Sequence, residues 1–97
     1  MTLGEFAVDV RSRHGESGWS CEVDVKEGER KTHHSVAVSR ADLERWGGGD
    51  REEDVEQLVR RSFEFLLERE PPESILRSFD LSVIQRYFPE YDHRFMK

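Results

Sequence analysis

Three side chains in apolar settings carry reactive groups of their own, namely Cys21, His34 and Ser62. A thiol or hydroxyl becomes a nucleophile when a base takes its proton, and an imidazole is a base or a metal ligand. No recognisable base motif stands beside Cys21 or Ser62 in the chain. None of the short Cys or His spacings that predict zinc surrounds His34. The adjacent His33 and His34 point to opposite faces if they lie on a strand, so the pair cannot close on one ion. Cys21 alternates with Trp19, Val23 and Val25, the setting of a buried, inert thiol. Ser62 sits within an apolar helical stripe, where its hydroxyl is expected to bond back along the helix. The residues therefore predict no catalytic constellation, no metal and no cofactor. Cys21, His34 and Ser62 remain the positions to inspect in any pocket between a sheet and its helices.

Anion chemistry fares no better. Gly47, Gly48, Gly49 and Asp50 precede a helix as a phosphate-binding loop would, but Asp50, Glu52, Glu53 and Asp54 crowd that helix start with only Arg51 opposing them. Asp50 is instead expected to cap the helix. Arg60, Arg61, Arg69, Arg77, Arg86 and Arg94 offer a basic path with Tyr87 and Tyr91 as stacking surfaces. Yet Glu56, Arg60, Glu64 and Glu68 fall at four-residue steps, the pattern of a solvated, ion-paired helix face. Lys and Arg total 15 against 21 Asp and Glu, a net charge of −6. That balance argues against nucleic acid and against anionic lipid. No apolar run approaches the ~20 residues of a membrane span, and Met1 to Glu5 lacks the basic-then-apolar order of a signal peptide. The expected location is the cytoplasm. The lone cysteine excludes a disulfide within the monomer.

The elements that would position these groups are legible from periodicity. The chain of 97 residues is 37% charged and 10% aromatic, which reads as one folded domain with a modest core. Phe6, Val8 and Val10 alternate with polar residues, as do Trp19 to Lys26 and Thr32 to Val38. These predict three strands, over about 5–13, 19–26 and 32–38, joined by glycine-bearing turns into an antiparallel meander. Such a sheet needs a cover for its apolar face. Ser39 and Asp42 form a capping pair that opens a helix over about 40–46. Val55, Leu58, Val59, Ser62 and Leu66 mark a long helix over about 51–70, stopped by Pro71 and Pro72. Phe63, Phe65 and Leu67 widen its stripe to about 200°, so that its second half should touch two surfaces. Short helices are expected over about 73–79 and 81–88, with Tyr87 and Phe88 in the core and Pro89 ending the last. The predicted class is α+β, with a three-stranded antiparallel meander followed by helices on one of its faces.

The run from Ser62 to Glu70, with Phe79, Asp80, Leu81, Ser82 and the Phe88, Pro89, Glu90, Tyr91 ending, resembles a family of small uncharacterised bacterial proteins. The resemblance covers about the C-terminal third and implies no activity. The strand-strand-strand-helix order is also loosely similar to small antitoxin and adaptor domains, an analogy of fold alone. Absent catalytic residues, an acidic surface and spare edge strands together lead to a small intracellular binding or regulatory module that pairs with a protein or with itself. Tyr91 and Phe95, which follow the last helix break, are open to two readings, as core closing over the long helix or as partner-facing aromatics. The alternative is a small-ligand binder or enzyme with a pocket between sheet and helices.

Overall fold

The structure is a computed structural model, and it describes residues 6–95. Three strands follow one another, β1 (Ala7–His14), β2 (Gly18–Glu27) and β3 (Arg30–Ser39), each antiparallel to the next. The part of the first expected strand at Glu5 lies outside the described residues. Strand alternation puts Val10, Cys21, Val23, Val25, His34, Val36 and Val38 on one buried face. Gly28 opens the two-residue turn between β2 and β3 with a φ of 61°, the sign that a II′ hairpin turn demands at its first loop position. At Gly18 a Cβ would meet the Val38 carbonyl oxygen at 2.3 Å, so glycine lets β2 and β3 approach where the hairpin ends.

The sheet has four strands and is mixed, which corrects the three-stranded antiparallel expectation. Residues 73–79 do not form a helix. Pro72–Ser74 make a single 3₁₀ turn, and Ser78–Asp80 form β4, parallel to β3. Ile75, Leu76 and Phe79 fit helical spacing, but the outward peptide groups of β3 needed partners. Ser35 N–H donates to Arg77 O at 2.7 Å and Leu81 N–H donates to Ala37 O at 2.9 Å. Pairing those edge groups along the sheet outweighs a short helical preference.

The helices are α1 (Arg40–Trp46), α2 (Glu52–Leu67), α3 (Ser82–Tyr87) and α4 (Glu90–Phe95). Ser39 and Asp42 form a reciprocal capping box at 3.1 and 3.2 Å. The cap of α2 is Arg51 rather than Asp50, and Asp54 accepts the Arg51 N–H at 3.1 Å. The helix ends at Leu67, short of Glu70, because the residue before Pro71 is pushed out of helical geometry and the preceding turn tightens. The helix α4 was not expected: Pro89 ends α3 but also has the fixed φ that starts the next helix.

Two surfaces of α2 are covered. Val55, Leu58, Val59, Ser62, Phe63 and Leu66 are buried along one stripe against the sheet, and Phe65 turns to the C-terminal segment. There Phe65 meets Phe88, Tyr91 and Phe95 edge-on at 5.3–6.1 Å, and Tyr91 stacks on Phe95 at 4.3 Å. No helix of the described residues is long and apolar enough to cross a membrane.

Candidate functional site

Each of the three reactive side chains has its own interior partners. Cys21 is fully buried on β2, and burial, with Glu56 and Glu22 adding negative potential, pushes its thiol up to about 12. Ser62 donates to Leu58 O at 2.7 Å, one turn back on α2, and its oxygen lies 2.6 Å from Tyr91 Oη. His34 on β3 has Nδ1 2.8 Å from Leu76 O and Nε2 2.9 Å from Thr32 Oγ1. A carbonyl only accepts, so Nδ1 carries the proton and Nε2 accepts from the threonine hydroxyl. Burial holds the His34 pKa below its ordinary value, which keeps the ring neutral. Among the described residues, no three His, Cys, Asp or Glu side chains come together as a metal site.

His33 faces the other way, onto the sheet surface that no helix covers. Its Nδ1 lies 2.7 Å from Asp24 and its Nε2 2.6 Å from Glu22. Hydrogen bonds to Asp24 and then Glu22 raise its pKa, since both ring nitrogens meet acceptors that only a charged ring can satisfy together.

The aromatics that could have faced a partner lie inside. Tyr91 is fully buried and Phe95 nearly so. Trp46 packs edge-on to Tyr91 at 5.0 Å, and the indole N–H donates to Asp92 at 2.8 Å. Burial raises the Tyr91 phenol above its usual pKa. The helix α4 carries both rings into the core, which is why an apparent tail after Pro89 is not surface. Tyr87 shows the converse correction. Placed in the core by its spacing, it is 69% exposed, while Phe88 is half-buried.

The exposed apolar groups converge elsewhere. Leu76, 49% exposed, and Tyr87 flank a groove of about 430 Å³ between the end of α2, the 3₁₀ turn and α3. Ile75, Phe79, Val83 and Phe88 line it, and Glu70 stands in its wall. Partial burial raises the Glu70 pKa, and the carboxylate has no ion-pair partner among the described residues. His34 and Ser35 hold the segment before β4 in place through Leu76 O and Arg77 O, so the groove's outer lip is tied to the sheet. Outside the groove lining, the Arg69 guanidinium lies 3.5 Å over the Phe65 ring and bonds Phe65 O. Cys21, His34 and Ser62 do not line this groove.

The groove residues escaped the sequence reading, although one signal pointed to them. Val83, Ile84, Tyr87 and Phe88 are more apolar surface than a six-residue helix can bury on one face. Comparisons with family models, curated proteins and solved structures find no match to this chain.

Proposed function

We propose that this chain is a small protein-binding or regulatory module whose contact surface is the groove between α2 and α3. One observation carries the reading: Leu76 and Tyr87 stay exposed on either side of an apolar groove whose wall holds a carboxylate, Glu70, without an ionic partner among the described residues. An exposed aromatic beside apolar walls is the composition of an interaction hot spot. Glu70 gives the groove a polarity, so the partner segment that fits presents an apolar side chain with a lysine or arginine next to it.

The test is binding by variants whose changes lie at the surface and leave the core intact. Leu76→Ser and Tyr87→Ser should each weaken retention of a protein captured by the wild-type chain, and Glu70→Gln should weaken it in a salt-sensitive way. A captured set unaffected by all three removes the reading. The small-ligand alternative has one supporting observation, a groove within the about 300–1,000 Å³ typical of such sites. It predicts thermal stabilisation by a small molecule that is lost in Tyr87→Ser, and at this groove it does not involve Cys21, His34 or Ser62.

A further inference from the structure

We infer that a second copy of this chain pairs with β1, edge to edge and antiparallel, about a two-fold axis at Val10. The surface lies at the other edge of the sheet from β4, and the inference does not depend on the groove.

The first observation is which peptide groups face outward. Ser35 and Ala37 turn theirs to β4, so the even residues of β3 face β2. Carried through the register, Val36 opposite Cys21 and Cys21 opposite Ser12, the alternation directs the peptide groups of Val8, Val10 and Ser12 away from β2. Arg60 confirms the direction, since its Nε reaches Val8 O at 3.3 Å from α2. These groups form a template for another strand.

The second observation is charge. On the uncovered face β1 carries Asp9, Arg11 and Arg13 in succession. Pairing about Val10 sets Asp9 opposite Arg11 of the second copy, and by symmetry does so twice. Val10 then faces Val10, and Val8 faces Ser12, on the side that α2 covers. Neighbouring registers fail this test. A two-fold at Val8 sets Asp9 opposite Ala7 and makes no charge pair, one at Asp9 opposes Asp9 to itself, one at Arg11 opposes Arg11 to itself while setting Asp9 opposite Arg13, and one at Ser12 opposes Arg11 to Arg13. Like charges directly opposite are destabilising, and opposite ones contribute.

The third observation lies on α2. Ser12 Oγ donates to Glu56 at 2.9 Å, while Arg60 sits at Val8, so α2 crosses β1 in the reverse direction. The same two-fold therefore brings Glu56 of one copy to the end where Arg60 of the other sits. Arg60 gives up Val8 O to the incoming Ser12 N–H and finds a carboxylate in exchange. In the monomer the same arginine covers the edge, and the net charge of −6 opposes the approach of two copies. The dimer is accordingly a weak one, with an expected Kd on the order of 10–100 μM.

Sedimentation equilibrium should find a monomer–dimer equilibrium in that range. Asp9→Arg alone and Arg11→Asp alone, both at exposed positions, should each raise Kd about tenfold or more. Their equimolar mixture should restore association, because each chain then supplies the charge the other lacks. Register is read separately by mixing Asp9→Cys with Arg11→Cys chains. The residues flanking a hydrogen-bonded Val10 pair form a wide pair with Cα atoms about 4.5 Å apart, within disulfide reach. Oxidation should give mixed disulfide dimers in preference to either homodimer. A wild-type chain that stays monomeric at ten times the expected Kd, a dimer indifferent to the charge changes, or Asp9→Cys homodimers in excess would overturn the inference.

Discussion

Tyr91 Oη and Ser62 Oγ lie 2.6 Å apart in the interior, joining α4 to the middle of α2. Because the Ser62 hydroxyl donates to Leu58 O at 2.7 Å, the proton between the two oxygens belongs to tyrosine, and the chain of donors runs Tyr91 to Ser62 to Leu58. The two truncations are therefore unequal. Tyr91→Phe leaves serine with a spare lone pair and should cost about 0.5–1.5 kcal/mol. Ser62→Ala strands a buried phenol O–H and should cost about 1–3 kcal/mol. Urea unfolding of both and of the double variant measures this; equal single costs that add in the double would remove the relay.

Cys21 should be inert while the chain is folded. A thiol raised from 9.0 to about 12 holds about a thousandfold less thiolate at neutral pH, and the side chain is fully buried. Reaction with a disulfide reagent should proceed only at the rate of opening and become immediate in denaturant. Fast, stoichiometric labelling of folded protein would contradict this.

Asp92 ties three helices together. One carboxylate oxygen accepts from the Trp46 indole at 2.8 Å and the other from Gln85 at 3.1 Å, so α1, α3 and α4 share one residue. Asp92→Ala leaves a mostly buried indole N–H without its acceptor, an expected loss of about 1–3 kcal/mol. Asp92→Asn keeps one acceptor and should lose less. Thermal melts followed by tryptophan fluorescence test the order of the two.

The inner-face places of Cys21, His34, Val36 and Val38 could be read from alternation because strand periodicity acts over eight or ten residues and a slip of one would expose them all. The back-bond of Ser62 was legible for a similar reason, being local to one helix. Segments of three to six residues gave no such redundancy. Ser78–Asp80 became a strand through long-range pairing with β3, and Glu90–Phe95 became a helix through the burial of Tyr91 and Phe95. The groove between Leu76 and Tyr87 depends on the first of these outcomes, so the apolar excess of α3 could mark one wall but not the wall that faces it.

His33 and His34, adjacent in sequence, should respond to pH in opposite ways. His33 lies between Asp24 and Glu22, and its hydrogen bonds to them raise its pKa above 6.5. Its contribution to stability is present below the unfolded value and is lost as pH rises through the higher folded value. Asp24, lowered chiefly by its bond to His33, contributes above its unfolded value of 3.8, and that contribution is lost as pH falls through the lower folded value. His34 is depressed by burial, so its contribution is present above 6.5 and is lost as pH falls through its folded value. NMR titration of the ring protons should place the two midpoints on opposite sides of 6.5. His33→Gln should remove the loss of stability as pH rises from 6.5 through the folded value of His33, while leaving the decline on acidification that His34 causes. Two rings titrating on the same side of the ordinary value would show that strand alternation does not separate their environments.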